Sequence, residues 1–252
     1  MKILATAATA GLLLSCSPAP TPKTAAPSRP NYFAVDKATA ATLTGRIEFS
    51  GKRPAATPIQ MDQDQDCARM NAAHPKTNEV IAVDKKGGLS NTFVYLKTGL
   101  EGKIFAPPAT PAVMDQKGCW FGPRVLGIQA KQPLRITNSD PVTHNIHPMA
   151  QVNREWNQSQ GPGDEPIVRR FARQEVVIPV KCNIHKWMHA SIAVVDHPYF
   201  AISSSDGNFE ILNVPPGEYT VAAWHEKLGW QEQKVTVAPS VKMSVNFKFK
   251  GE

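Results

Sequence analysis

The sequence lacks several features that mark large classes of proteins. Cysteine is scarce, with four in 252 residues, and no two stand in the C-x2-C spacing of a zinc site. The net charge is +7, yet no basic run with interleaved aromatic residues occurs, which argues against nucleic-acid binding and leaves acidic partners or anionic surfaces. Sustained helical periodicity and solenoid repeats are also missing. Apolar residues make up 42% of the chain, enough for the core of one large or two modest β-rich domains.

The apolar stretch at the N-terminus is too short to cross a bilayer. It runs from Ile3 to Leu14 after Lys2, whereas a spanning helix needs about 20 apolar residues. A basic start, a short apolar core and small residues are typical of a secretory leader. We therefore expect export to an oxidising compartment, in which disulfides form and persist.

The leader ends in a cysteine motif. Residues 13–16, Leu-Leu-Ser-Cys, resemble the lipobox of bacterial lipoproteins. The resemblance implies that residues 1–15 are a signal peptide and that Cys16 is the lipidated first residue of a protein facing the periplasm. Ser17 is similar to the pattern that is sorted to the outer membrane. An ordinary leader cut nearby, which leaves Cys16 free, is the alternative.

A proline-rich segment follows the leader. Residues 16–40 combine Ala, Thr and Ser with prolines at positions 18, 20, 22, 27 and 30. Proline keeps such a segment extended and its composition buries no core, so we predict a tether between the lipid anchor and the folded body.

Strand patterns occupy most of the remaining chain and predict an all-β protein. Polar and apolar residues alternate at 44–49, and apolar runs of strand length follow at 134–138 and 175–180. Short helical turns are expected only around 66–73 and 153–159. Alternation near the C-terminus predicts one half-buried strand of an antiparallel sandwich, with a single apolar face made by Val241, Met243, Val245, Phe247 and Phe249.

Three potential metal ligands stand close together in the second half of the chain. Cys182, His185 and Met188 have the spacing C-x2-H-x2-M. A soft thiolate with an imidazole and a weak thioether suits copper, and in particular the trigonal blue-copper arrangement with a distant axial methionine. Such a site needs a second imidazole. His144 and His147, in the upstream segment Thr-His-Asn-Ile-His, are the candidates for it.

Predicted strands flank this motif on both sides. Residues 176–180 precede Cys182 and residues 191–195 follow it, so one short loop carries Cys, His and Met while the sheet holds it still. The loop with His144 follows the strand at 134–138 and, in a sandwich, can lie at the same end. We expect Asn145 to form a hydrogen bond across to the ligand loop and to fix its orientation.

The two segments together resemble the cupredoxins, and the ligand loop is similar to that of the amicyanin type. The resemblance implies a Greek-key sandwich or barrel with one type 1 copper. Carried over by position, the ligands are His144, Cys182, His185 and Met188, with His147 as the alternative to His144.

The loop histidine of a cupredoxin is usually the ligand nearest the solvent, set in an apolar patch at which redox partners dock. The resemblance therefore implies that Trp187 and its neighbours form a docking surface, and that Lys186 favours an acidic partner such as a cytochrome or a dehydrogenase. The alternative is that Trp187 only packs over the loop.

Cys67 and Cys119 lie outside the ligand segments. In an exported protein the economical assignment is a disulfide between them, which closes a loop of about 52 residues and contributes about 4 kcal/mol. This pairing leaves Cys182 as the free thiol of the folded body. The alternative is that one of the two joins a metal site.

The C-terminal segment resembles a second family. The pattern Asp-Gly-x-Phe-x-Ile, followed by Val-Pro-Pro-Gly-x-Tyr-x-Val, is similar to the carboxypeptidase-regulatory-like (transthyretin-like) β-sandwich. We therefore expect a copper domain at 41–198 and a smaller sandwich module at 199–252. Because Thr-Gly-Arg-Ile at 44–47 resembles the opening of that family, the alternative is that residues 41–97 contribute strands to the C-terminal sandwich.

These observations predict a lipid-anchored periplasmic carrier of single electrons. The chain also resembles exported proteins labelled as methylamine-utilisation or plastocyanin-like, although no amine chemistry follows from that label. Copper handling or sensing without electron shuttling is one alternative, and a structural or adhesion role in the cell envelope is another. We do not expect an enzyme, because no second histidine cluster offers a catalytic copper.

Overall fold

Strands dominate the structure, as the alternation of polar and apolar residues predicted. The computed structural model describes residues 30–78 and 80–251, so the leader, Cys16 and most of the tether lie outside the described residues. Contacts group Asn31–Glu252 into one unit. A sandwich or a barrel was expected. Within the described ranges the sheets are stacked and do not close into a barrel.

The described residues form one helix, α1 (Gln65–Asn71), and seventeen strands. The strands are β1 (Ala41–Ser50), β2 (Phe93–Thr98), β3 (Ala112–Gln116), β4 (Phe121–Gly122), β5 (Val125–Gln129), β6 (Leu134–Asn138), β7 (His144–Pro148), β8 (Gln158–Gln160), β9 (Ile167–Arg169), β10 (Glu175–Lys181), β11 (His189–Val195), β12 (Phe200–Ile202), β13 (Asn208–Val214), β14 (Gly217–His225), β15 (Gly229–Val237), β16 (Lys242–Ser244) and β17 (Phe247–Lys250).

These strands make four sheets. Sheet I has the order β4-β3-β6-β9 and sheet II the order β5-β11-β10-β7-β8. Sheet III has the order β12-β2-β14-β15, and sheet IV the order β13-β1-β16, with β17 also paired to β1. Sheet II carries the predicted ligand segments, since β7 begins at His144 and β10 leads into Cys182.

Apolar side chains fill the space between successive sheets. Met114 and Ile136 of sheet I share one core with Ile178 and Ile192 of sheet II. Sheets III and IV enclose a second core, which includes Leu43, Ile47, Leu96 and Val221. A third cluster joins sheet II to sheet III, through Val125 and Ala193 on one side and Phe93 and Ala222 on the other. The layers are therefore stacked in the order I, II, III, IV.

Strand β11 is buried on both faces because it belongs to an inner layer. Ile192 and Val194 point into the core shared with sheet I, whereas Ala193 and Val195 point toward sheet III. A strand that is covered on both faces is expected to be apolar along its whole length. The order of layers thus explains the continuous apolar run that follows the ligand loop.

The C-terminal run is not the single antiparallel strand that its alternation predicted. It is divided into β16 and β17, and both run parallel to β1. At the break, Val245 N donates to Thr44 O, and the side chain of Asn246 accepts from Arg46 N. Gly45 permits this approach, because a Cβ there would lie 1.9 Å from Val245 O. The alternation still predicted correctly that three side chains are buried, namely Val245, Phe247 and Phe249.

The N-terminal strands pair with C-terminal ones. β1 pairs with β13, β16 and β17, and β2 pairs with β12 and β14. Among the described residues, these pairings place β1 in sheet IV and β2 in sheet III, and not in sheet II, which carries the ligand segments. The pairing agrees with the alternative in which residues 41–97 contribute strands to the C-terminal sandwich. The division into domains stays a prediction.

Helix α1 begins after Asp64, whose side chain accepts from Asp66 N and Cys67 N. Aspartate is a preferred residue at this position because it satisfies amides that have no partner within the helix. The helix lies where a short turn was expected, whereas the turn expected around 153–159 contains the beginning of β8 instead. No helix of the described residues is long and apolar enough to cross a membrane.

Candidate metal centre

The predicted ligand loop connects β10 to β11. The two strands pair as far as Lys181 and His189, so the loop leaves and re-enters sheet II at one point. Cys182 N donates to Met188 O over 3.1 Å, and Met188 N donates to His185 O over 3.0 Å. These bonds hold the loop in one conformation, because they pair backbone groups within it.

Strand β7 brings the second imidazole to this loop. It begins at His144 and pairs with the end of β10, next to Cys182. His144, Cys182 and His185 are all buried, with exposed fractions of 0%, 3% and 2%. One ring nitrogen of each histidine and the sulfur of Cys182 lie within 4.8 Å of one another.

The two imidazoles face each other through their inner nitrogens. His144 Nδ1 lies 3.0 Å from His185 Nδ1, and Cys182 Sγ lies 3.9 Å from His185 Nδ1. The sulfur also accepts a hydrogen bond from His185 N at 3.3 Å. Three potential metal-binding atoms therefore converge on one point between β7 and the ligand loop.

A buried carboxylate holds the outer nitrogen of His144. Asp140 Oδ2 lies 2.8 Å from His144 Nε2, and the same carboxyl group accepts from Gly118 N at 2.6 Å and Cys119 N at 2.7 Å. Burial is the largest single influence, and it raises the pKa of Asp140 and lowers that of His144. The bond between the two side chains outweighs burial only together with the amides of Cys119 and Gly118 for Asp140, and with Cys182 for His144. The pKa of Asp140 is therefore lowered and that of His144 is raised relative to their ordinary values.

A second carboxylate faces the outer nitrogen of His185. Asp64 Oδ2 lies 3.1 Å from His185 Nε2, while Asp64 Oδ1 caps helix α1. The pKa of Asp64 is lowered by the amide of Cys67 and then by His185. Each ligand candidate imidazole is thus paired with its own carboxylate.

These carboxylates determine where the ring protons lie. An ionised carboxylate only accepts hydrogen bonds, so Nε2 of His144 and of His185 carries a proton and each Nδ1 faces the cluster. The two Nδ1 atoms lie 3.0 Å apart beside the sulfur of Cys182, and in the metal-free protein a proton on His144 Nδ1 is shared with these neighbours. A bound cation satisfies all three atoms at once. Two imidazole nitrogens and a thiolate are ligands that copper accepts, and zinc accepts them too.

The cysteine of the cluster is disposed to ionise. Burial raises the pKa of Cys182, but hydrogen bonds from His144 and from the backbone of His185 lower it, and the pKa lies below its ordinary value. Metals bind the thiolate, so this shift favours metal binding. Cys182 is the free cysteine of the described residues.

The other predicted site residues occupy distinct positions. Asn145 Oδ1 accepts from Asn183 N at 3.0 Å, the bond across to the ligand loop that we expected. Met188 is fully buried in the same apolar cluster as Cys182. His147 contacts Glu155 Oε1 at 2.5 Å and Asn183 Oδ1 at 3.4 Å, and it belongs to none of the candidate ligand clusters of the described residues.

The expected docking surface has a different geometry from the one that the resemblance implied. His185 is not near the solvent, because only 2% of its surface is exposed. Trp187 packs on the loop instead: its ring centroid lies 5.1 Å from that of His185, and its Nε1 donates to Cys119 O. Lys186 is exposed.

The predicted disulfide is confirmed. Cys67 and Cys119 are bonded, with their Cα atoms 5.7 Å apart, and both are fully buried. Cys67 Sγ lies 3.7 Å from His185 Nε2. The disulfide therefore packs directly against the candidate metal centre.

Sequence reasoning missed the two carboxylates. Asp140 stands four residues before His144, in a segment that the sequence indicates only as a turn. Asp64 is 121 residues from His185, and its one local signal is the pattern of a helix cap. Neither signal points to a role beside an imidazole.

Comparison with family models matches one segment of the chain. A family model described as polysaccharide lyase family 4, domain II, matches residues 183–245, which is well under half of the chain. No curated protein sequence matches significantly.

Solved structures that resemble the chain include copper proteins. A copper-containing nitrite reductase from Thermus scotoductus is 20% identical, with a TM-score of 0.33, over 40% of this chain and 25% of its own. A purple cupredoxin from Nitrosopumilus maritimus is 21% identical, with a TM-score of 0.29, over 33% of this chain and 98% of its own. A reduced Cu(I) form of an amicyanin mutant is 18% identical, with a TM-score of 0.29, over 40% of this chain and 97% of its own. The case for a metal site therefore rests on the side chains.

Proposed function

We propose that this chain is a type 1 copper protein that carries single electrons. His144, Cys182 and His185 would hold the copper ion, with Met188 as a weak further ligand. The supporting observation is the convergence of two imidazole nitrogens and one sulfur, with His144 Nδ1 and His185 Nδ1 3.0 Å apart. When bound there, copper supplies one-electron chemistry by cycling between Cu(I) and Cu(II).

The protein residues keep the site rigid and dry. Asp140 and Asp64 hold the outer nitrogens of the two rings, so the inner nitrogens keep their positions whether or not an ion is bound. Asn145 holds the start of the ligand loop through Asn183 N. Burial of all three ligands excludes water. A site that changes little between two charge states suits electron transfer.

The cellular setting forms part of the proposal. We place the protein in the periplasm, anchored by a lipid on Cys16 and tethered by residues 16–40 to the outer membrane. Its partners are redox proteins, among which acidic ones are favoured by the net charge of +7 and the exposed Lys186. We also propose that the C-terminal strands make a transthyretin-like module.

A carrier is favoured over an enzyme by the arrangement of the ligand clusters. All three candidate clusters among the described residues contain His144 or His185. They therefore describe one centre and its surroundings, so a second, catalytic copper forms no part of the proposal.

Copper handling without electron transfer is the second candidate, and the burial of His185 favours it. A partner cannot touch this imidazole, which is 2% exposed. A storage or delivery protein gains from such shielding, whereas an electron carrier then needs a route through other residues.

Optical titration of the purified mature protein with Cu(II) tests the proposal. We expect one equivalent to produce an intense sulfur-to-copper charge-transfer band in the visible region and a narrow copper hyperfine splitting. Cys182→Ser should abolish both signals. A colourless protein that binds only Zn(II) or Cu(I) overturns the electron-transfer proposal.

The two candidates differ in how they exchange electrons and release copper. An electron carrier exchanges electrons with a small redox dye reversibly and rapidly, and each protein molecule takes up one electron. A copper-handling protein instead releases Cu(I) to a competing chelator as fast as it changes oxidation state. Repeated cycling without loss of copper excludes the second candidate.

A further inference from the structure

A short segment of the N-terminal half covers the imidazole that cupredoxin-like loops expose. We define this capping segment as residues 61–71, which include α1 and its N-cap Asp64. Met61 and Cys67 are buried in the core shared by sheets I and II, and Asn71 is buried beside them, whereas the opposite side of α1 is exposed. The segment thus lies on the sandwich as a cover.

Two kinds of contact, a disulfide and a hydrogen bond, hold the capping segment in place. The disulfide joins Cys67 to Cys119, on the turn whose backbone amides bind Asp140. Asn71 Nδ2 donates to Gly118 O of the same turn at 3.1 Å, and to Cys67 O at 2.9 Å. The segment is therefore fixed to the same turn that supports His144.

The two oxygens of Asp64 have separate partners. Oδ1 accepts from Asp66 N at 3.0 Å and from Cys67 N at 2.9 Å, and this caps α1. Oδ2 lies 3.1 Å from His185 Nε2. One carboxylate therefore links the fold of the capping segment to the orientation of a ligand ring.

We propose that Asp64 is a positioning residue that, carried by the capping segment, holds His185 in its metal-binding orientation and slows the loss of metal. The inference rests on the proposed site. An ionised partner at the outer nitrogen orients the ring and makes its inner nitrogen a stronger donor. The cover also removes the water that otherwise competes for the imidazole. In addition, the negative charge favours the more highly charged Cu(II), so it lowers the reduction potential.

The divided roles of Asp64 provide a sharp set of variants. Asp64→Ser keeps a good N-cap but has one oxygen, which cannot both cap α1 and reach His185. Asp64→Asn keeps the cap and an acceptor for Nε2 but removes the charge. Asp62→Asn is the matched control, because Asp62 is an exposed carboxylate of the same segment.

Three measurements on the full mature chain read out these variants. First, NMR at one pH follows the His185 Nε2 proton of the metal-free protein, and the amides of Asp66 and Cys67 report on the cap. Second, the rate of Zn(II) transfer to a chelator reports on metal retention. Third, the reduction potential is measured on the copper-loaded protein.

We expect the ring proton to be protected in the wild type, Asp62→Asn and Asp64→Asn, and to exchange rapidly in Asp64→Ser with the cap intact. Zn(II) transfer should accelerate about 10–100-fold in Asp64→Ser, the range typical of lost ligand supports. The potential should rise in both Asp64 variants. If Asp64→Ser behaves like Asp62→Asn in proton exchange or zinc transfer, the proposal is wrong.

The outcome is separable from that of the proposed function. If neither the wild type nor any variant forms the charge-transfer band, the type 1 copper proposal fails. Faster zinc transfer in Asp64→Ser would then still support the role of Asp64. If Asp64→Ser loses the cap of α1, the test moves to Asp64→Asn. An unchanged reduction potential in that variant overturns the proposed effect of the Asp64 charge on the copper ion.

Discussion

His144 and His185 face each other through Nδ1 at 3.0 Å, and each holds a carboxylate at its opposite nitrogen. In the metal-free protein the two facing nitrogens and the sulfur of Cys182 share a proton. A cation can replace that proton and contact all three atoms, so the arrangement suits a metal ion that binds between the rings. His147 differs from His144 in this respect, because its ring contacts Glu155.

The first prediction concerns which upstream histidine binds metal. Zn(II) at about 100 times its dissociation constant should stabilise the wild type by about 2.7 kcal/mol. In a chain of this size that corresponds to a rise in Tm of roughly 5–10 °C. His144→Ala should lose most of this metal-dependent rise, because it removes one of three ligands.

The metal-dependent shift is the measured quantity because His144 is buried and its removal lowers the Tm of the metal-free protein as well. His147→Ala is the control and should keep the full shift. A shift that survives His144→Ala and disappears in His147→Ala shows that the ligand assignment is wrong.

The second prediction concerns Asp140. Asp140→Asn should raise the reduction potential of the copper-loaded protein, since it removes a negative charge that lies 2.8 Å from His144 Nε2. It should also weaken metal binding about 10–100-fold, as loss of a ligand's hydrogen-bond partner typically does. Cyclic voltammetry and competition with a chelator measure the two effects.

Asp196→Asn is the matched control for this charge change, because Asp196 is exposed on the loop before β12. The control should leave both the potential and the affinity unchanged. Equal shifts in the two variants would mean that net charge alone acts on the potential, and not the bond to His144.

The third prediction concerns the disulfide. Replacing both Cys67 and Cys119 by alanine should lower the free energy of unfolding by about 4 kcal/mol, because the bond closes a loop with a sequence separation of 52 residues. Denaturant unfolding of the metal-free protein measures this loss. A loss below about 1 kcal/mol would show that the capping segment is held by its other contacts.

The fourth prediction concerns two buried histidines away from the metal centre. Burial lowers the pKa of His197 to about 4, and it also lowers the pKa of His225 to about 4. Both stay neutral in the folded protein down to about pH 4, whereas in the unfolded chain they bind protons below about pH 6.5. Their contribution to the free energy of unfolding should therefore be complete above pH 6.5 and should decrease as the pH drops toward 4, by at most about 3 kcal/mol for each residue.

Unfolding experiments from pH 7 to pH 4 on the metal-free protein test this dependence. The double variant His197→Gln, His225→Gln should have a shallower pH profile than the wild type. Identical slopes in this window would contradict the assignment of the acid sensitivity to these two residues.

Much of the strand content could be predicted because its signal is local. Alternation over 44–49 identified β1, and the apolar run before Cys182 identified β10. The pairing of β1 with β16 and β17 could not be predicted. Register between segments about 200 residues apart is set by burial and by close contacts such as that of Gly45 with Val245 O, which no local pattern reports.

The candidate site shows the same division. The ligand spacing from Cys182 to Met188 is local, and the type of each ligand reveals the chemistry. The burial of His185 depends on the segment that carries Asp64, which lies 121 residues away. The sequence indicates Asp64 only as a helix cap. Expecting that imidazole at the surface was wrong because the resemblance covered the ligand loop and not the segment that packs on it.

The measurement that tests the central claim most directly is copper K-edge X-ray absorption of the protein loaded with one equivalent of copper. The proposed site predicts one short copper–sulfur distance and two imidazole nitrogens in the wild type. Cys182→Ser should lose the sulfur, and His144→Ala should lose one imidazole. A spectrum with only oxygen and nitrogen neighbours, or one that Cys182→Ser leaves unchanged, would contradict the claim that copper binds between His144, Cys182 and His185.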